Sequence, residues 1–326
     1  MSGSHKNYQK QLQVLEHRVL PTLKSASHLE MSCTIETIKD IVMPENIIFY
    51  IIFLSQILLI SYYYPKQVLD RMTTVLEKHP PDQYPKLYPR PHSFYTQGQK
   101  RYRVLNHVIL ALGFGLLIAI GYWDYSTGGE INNMIPFGYW MIQGIPMFLL
   151  EILGYSRFKL MRAADVSGKR RAVLNPRRLF NFVSPRLFGL AIFMYVACIL
   201  FFYSIHGFQI HPSNDTFIIF VTLTLMNLLF TAIIVGHLRG KKRDPHQAHD
   251  DRIKQSVTSI KSLFIMSVVA SFFIITTEGM QAFHLDFYRA SLMSAYLQLT
   301  IVIGLGALLR KTKLEEINFD VYRKEV

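Results

Sequence analysis

The stretch MIQGIPMFLLEILGYSRFKLMR carries a single acid, Glu151, inside an apolar run. A carboxylate placed in hydrocarbon costs a few kcal/mol and marks a functional candidate by default. Its chemistry would be proton carriage or ion pairing. Glu151 precedes Arg157 by six residues, or about 9 Å along a regular helix. A structural role therefore competes, in which Glu151 reaches up to pair with Arg157 or Arg162. His107 lies at similar depth in another apolar run and is a second possible partner. Pro146 removes a backbone donor from the same segment, which predicts a kink between Gln143 and Glu151.

Three amides share a further pattern. Gln143, Asn227 and Gln298 sit 14, 12 and 12 residues before Arg157, Arg239 and Arg310. Each therefore lies roughly 20 Å from a basic helix end, close to a bilayer centre. An amide in hydrocarbon needs a partner. The three either hold helices together or line a shared polar cavity.

Metal chemistry has one weak candidate. DPHQAHDD offers His246, His249 and Asp250, and imidazole and carboxylate suit several divalent ions. A solvated polar loop explains the same residues. The sequence lacks HExxH, a Walker A motif, GxGxxG and GxSxG. No cofactor is expected.

The remaining chemistry is positive charge. KRRAVLNPRRLFNFVSPR contributes Lys169, Arg170, Arg171, Arg177, Arg178 and Arg186 without an acid. Phosphate is the natural partner. The loop is short and tied at both ends to apolar segments, so lipid headgroups fit it and nucleic acid does not. Each basic residue near an anionic surface contributes about 1 kcal/mol.

The elements that must position these residues are membrane spans. Half of the chain is hydrophobic and 17% is Asp, Glu, Lys or Arg, yet the net charge is +13. Apolar runs at about 47–64, 104–123, 135–155, 187–205, 217–238, 262–277 and 290–309 predict an all-α bundle of seven spans. The first run stands alone and the other six form three hairpins. Each hairpin rises from a basic segment, turns with almost no positive charge, and descends to another basic segment. This is a repeat of hydropathy and charge rather than of residue identity, and any up-down bundle obeying the charge rule would show it.

Orientation follows from charge. The segments 65–103, 156–186, 239–261 and 310–326 hold 29 of the 35 Lys and Arg, and the intervening turns hold only Arg289. Cationic loops stay in the cytoplasm. The C-terminal tail 310–326 is therefore expected inside, and the N-terminus outside, at a plasma membrane of the bacterial inner type.

Two segments lie beside the spans. YPKQVLDRMTTVLEKHPP predicts an amphipathic interfacial helix over 65–79, stopped by Pro80 and Pro81. Residues 1–46 are polar, carry five basic and five acidic residues, and are partly amphipathic through Leu12, Leu15, Val19 and Leu20. They contain no apolar core of a signal peptide. They lie outside, or along the inner surface, or precede a true start at Met43.

These features fit three functions. A non-enzymatic scaffold, sensor or subunit, alone or as a homo-oligomer, would use the basic face to meet anionic headgroups or a protein partner. A small-solute or proton-coupled transporter would use Glu151 and the midspan amides. A lipid-headgroup enzyme would bind phosphate at Arg177, Arg178 and Arg186. A reporter fused after Val326 is expected to report a cytoplasmic location, and one inserted at 124–134 an external one. Paired fluorescent-protein and alkaline-phosphatase fusions measure this, and the opposite pattern inverts the topology.

Overall fold

An apolar segment in hydrocarbon has to satisfy every backbone N–H and C=O within itself, and a helix does this. The computed structural model describes residues 47–127, 131–164, 178–205, 215–239 and 244–323. The chain divides into two units, residues 1–50 and 51–326. Of the first, Ile47–Tyr50 is described, a helical turn in which the Phe49 and Tyr50 rings meet edge to face at 5.7 Å. The second is an all-helical bundle, and no strand occurs among the described residues.

Seven helices among the described residues are long and apolar enough to cross a membrane. They are α1 (Ile47–Lys78), α2 (His92–Thr127), α3 (Met134–Ala164), α4 (Pro185–Ile205), α5 (Phe217–Arg239), α6 (His249–Ala282) and α7 (Asp286–Lys311). Their outer faces carry large apolar side chains open to the surroundings, such as Ile118 at 73% exposure, Phe148 at 67% and Phe193 at 66%. Water would penalise such faces, and lipid does not.

Helix ends depart from the apolar runs. The segment 65–79 does not start a new helix, because α1 runs on through a π-helical turn at Leu59–Tyr63 to Lys78. α2 begins at His92, twelve residues before its apolar run, and its 36 residues extend about 54 Å, well beyond a ~30 Å hydrocarbon core. α6 likewise starts at His249, so the HDD of DPHQAHDD forms its first turn. α3 continues through the buried Pro146.

The three hairpins pack unequally. α2 and α3 are neighbours, but α4 and α5 touch little and both lean on α6. α6 joins that group to α7, and α7 packs against α1 and α3. α1 thus sits among α2, α3 and α7.

Two close approaches depend on glycine. A Cβ on Gly113 of α2 would fall on the Tyr139 hydroxyl and 2.9 Å from Ile57 Cγ2. A Cβ on Gly306 would collide with the Tyr64 hydroxyl. Gly306 ends a second π-helical turn, Val302–Gly306 in α7. Tyr64, which directly follows the first widened turn, thus reaches the end of the second with its hydroxyl. Ser262 of α6 donates to the Ile303 carbonyl at 2.8 Å, within the second.

The basic segments gather at one end of the bundle. Tyr84 and Leu87 from the α1–α2 connection, Met161 of α3 and Tyr322 of the tail form one buried cluster. Phe182 and Val183, which precede α4, are buried against Ile234 of α5 and Ile260 of α6. Shared contact thus places the 79–91, 157–161 and 244–254 segments and the tail together, as the charge tally requires.

Candidate functional site

The first candidate site is a polar network at the centre of α1. Gln56 is fully buried and Gln143 nearly so. The two side chains pair: Gln56 Nε2 donates to Gln143 Oε1 at 3.1 Å, and to the Pro136 carbonyl at 3.2 Å. Gln143 Nε2 donates back to the Gln56 carbonyl at 3.3 Å and to Ser61 Oγ at 2.9 Å. Ser294 of α7 donates to Gln56 Oε1 at 2.6 Å. Tyr139 Oη lies 3.2 Å from Ser61 Oγ and donates to the Ile109 carbonyl at 2.9 Å. One turn away, Gln298 Nε2 donates to the Ile52 carbonyl at 3.0 Å and its Oε1 accepts from Ser55 at 2.9 Å.

The π-helical turn explains why α1 serves this network. Five residues separate Gln56 from Ser61, which on an α-helix places them about 140° apart. The wider turn at Leu59–Tyr63 brings Ser61 back toward Gln56, so that one amide, Gln143, reaches both. The donors and acceptors of this network are largely spent on one another. Its chemistry is cohesion rather than an open polar path.

The second candidate site is a cavity of about 590 Å³ at the basic end. Its walls come from α1, α2, α3, α6, the end of α7 and the tail. The tail closes one side. Tyr322 Oη donates to the buried Asp244 at 2.6 Å, and the Asn318 amide donates to Asp251 at 3.0 Å. Lys254 and Glu316 form an ion pair at 3.2 Å. The His79 ring stacks on Phe319 at 4.0 Å and meets Tyr84 edge-on at 4.8 Å. Arg71 of α1 donates to the Leu309 carbonyl of α7.

Electrostatics at this end follow from burial. Burial pushes the Tyr88 hydroxyl up to about 12, against the opposing charge of Arg157. Burial and the Asp244 carboxylate raise Tyr322, which stays a neutral donor. Burial and Lys78 hold the His79 imidazole below its ordinary value near 6.5, with Asp320 opposing. Its Nδ1 is buried without a hydrogen-bond partner among the described residues.

The residues singled out from the sequence are distributed as follows. Gln143 and Gln298 both bind α1, but Asn227 does not join them. Its Nδ2 donates to the Leu223 carbonyl of its own helix at 2.9 Å, and its Oδ1 accepts from Ser267 of α6 at 2.5 Å. Glu151 is exposed on α3 and lines the basic-end cavity together with Arg157. His107 Nδ1 donates to the Arg103 carbonyl at 2.7 Å on its own helix. The His246 amide donates to Asp244 at 2.9 Å, and its ring lies edge-on to Tyr322. His249 opens α6 and Asp250 is exposed beside it. Among the described residues no three His, Cys, Asp or Glu side chains converge as metal ligands. Arg178 and Arg186 are exposed, while Lys169, Arg170, Arg171 and Arg177 lie outside the described residues.

Sequence reasoning missed Gln56, Ser61, Ser294 and Tyr139. Gln56 is the lone amide of its own apolar run, so the logic applied to Gln143 would have found it. The chain matches no protein-family model, no curated protein and no solved structure.

Two measurements probe these sites. Gln56→Leu strands Gln143 and Ser294 and is expected to cost about 1–2 kcal/mol of stability in detergent. Gln56→Leu with Gln143→Leu should cost less than the sum of the two single changes, and strict additivity would show that the amides do not act as a pair. For the tail, a freed His79 binds its proton below about pH 6.5, whereas the docked one resists it. Docking should therefore be complete above that pH and weaken as pH falls below it. A nitroxide on Glu315→Cys, with Cys33 and Cys198 replaced by Ser, should gain mobility between pH 7.5 and 5.5, and His79→Phe should abolish the change.

Proposed function

We propose that this multi-pass membrane protein is a non-enzymatic scaffold or sensor of the inner face of a plasma membrane, with its C-terminus in the cytoplasm. The docked tail carries this reading. Residues 314–322 pack on the α1–α2 connection and on the start of α6, through one hydroxyl–carboxylate bond, one amide–carboxylate bond and one ion pair. Such links between separate segments give the basic end a defined surface. They are few enough to be undone by a partner that competes for Asp244 or Phe319. The surrounding Lys and Arg suit an acidic protein segment or anionic headgroups.

A second reading, transport of a small solute, is favoured by the π-helical turns in α1 and α7, because such turns recur at functional sites. Glu151, at the cavity wall, would then be the carboxylate that meets the solute. Against it stands the mutual saturation of Gln56 and Gln143 in the middle of the bundle.

One comparison separates the readings. The wild type and Asp244→Ala, which frees the tail, are purified in mild detergent, and companion proteins are identified by mass spectrometry. A scaffold or sensor should hold a stoichiometric companion in one state and not the other. Identical companions in both states, with a proteoliposome solute flux that Glu151→Gln abolishes, would overturn the scaffold in favour of transport.

A further inference from the structure

The cavity at the basic end has a wall of opposite charges that are not equally occupied. Its cations are Arg71, Arg157, Lys254, Lys311 and Lys313, and its carboxylates are Glu151, Asp244, Asp251 and Glu316. The carboxylates are engaged. Asp244 accepts from the Tyr322 hydroxyl and the His246 amide, Asp251 from the Asn318 amide, and Glu316 from Lys254. Glu151 is not free either.

The cations divide differently. Lys254 is paired with Glu316, and Arg71 is spent on the Leu309 carbonyl. Lys311 and Lys313 have no hydrogen bond or ion pair among the described residues. Arg157 Nε is buried and has no hydrogen-bond partner among the described residues. A buried guanidinium donor without an acceptor carries a desolvation cost that an incoming acceptor would relieve. Its guanidinium carbon lies 5.1 Å from the Phe158 ring centroid, which helps fix its plane. Nearby, Tyr95 accepts from the Arg90 amide at 3.4 Å, and its own O–H has no acceptor among the described residues.

A fixed guanidinium, two unpaired ammonium groups and a free phenol donor make a receptor for an oxyanion. The lining also includes apolar side chains, Met72 and Leu76 of α1 and Leu308 of α7. These residues sit at the ends of membrane-spanning helices, where an acyl chain could leave the cavity into the bilayer. We infer that this cavity binds a phosphate group through Arg157, Lys311 and Lys313, either the headgroup of an anionic phospholipid or a free phosphate. This site is separate from the basic loop 169–186, and the inference does not depend on the scaffold reading.

The test uses the full chain in dodecyl maltoside. Native mass spectrometry counts phosphatidylglycerol bound per chain, with and without excess inorganic phosphate. One phosphatidylglycerol should persist at concentrations where further lipids dissociate. Arg157→Gln should weaken it about tenfold, the loss expected of one charge-assisted hydrogen bond, and Lys311→Gln with Lys313→Gln should do the same. Arg157→Lys, which keeps the charge, should weaken it less and covers the case in which Arg157→Gln fails to fold. Lys66→Gln with Arg101→Gln, on exposed residues outside the cavity, should leave that lipid in place. Displacement by inorganic phosphate supports a free phosphate as ligand, and retention supports the lipid headgroup. Absence of any one-to-one species of either kind, or equal retention in wild type and all cavity variants, overturns the inference.

Discussion

Hydrocarbon offers no hydrogen bonds, and this bundle is organised around that fact. Gln56 places a full amide in the middle of α1, and the surrounding helices have to answer it. α3 supplies Gln143 and the Pro136 carbonyl, α7 supplies Ser294, and α1 itself adds Ser61 through its widened turn. Each such bond in a membrane is worth about 0.6–2 kcal/mol, but leaving any of these groups unpaired would cost more. Gly113 follows from the same requirement, because the Tyr139 hydroxyl closes the network only where α2 has no side chain. Polar atoms thus join the packing of the buried Phe53, Ile57 and Ile60 in holding α1 between α2, α3 and α7.

The two ends of the same helices obey different physics. At the basic end water is present, charges are numerous, and ionic contacts are individually weak. Exposed pairs such as Lys254–Glu316 contribute little alone. The buried Asp244–Tyr322 bond and the stacked His79 and Phe319 rings do more, because they exclude water from the links they make. The middle of the bundle is tied by bonds among buried groups, and the basic end in part by exposed ones.

Much of this was legible in the sequence. Seven apolar runs and a one-sided charge distribution give seven helices whose basic ends meet. The midspan positions of Gln143 and Gln298 are where polar contacts between helices occur. What could not be read has physical causes. An α-helical wheel separates Gln56 from Ser61, and only a π-helical turn reunites them, with no residue type that announces it. Residues 65–79 look like a separate interfacial helix because their periodicity changes, yet the backbone continues unbroken. The polar starts of α2 and α6 carry no apolar signal, since they project beyond the bilayer. Docking of the tail depends on partners such as Tyr84 and Asp244, remote in sequence, which local pattern does not reveal.

The tie between α1 and α7 also orders events in time. Membrane helices are delivered one after another as the chain is made, so Gln56 arrives when neither Gln143 nor Ser294 exists. Some 240 residues separate it from Ser294, and at roughly 5–20 residues per second that interval is of order ten seconds or more. Gln143 follows after 87 residues and can engage the Gln56 Nε2, but the Oε1 acceptor has to wait for Ser294 over the whole interval, held at the insertion machinery or beside a temporary neighbour. α1 enters before α7 and is thus completed only when α7 arrives, and a chain that stops short of α7 exposes its own unfinished centre to whatever surveys the membrane for incomplete proteins.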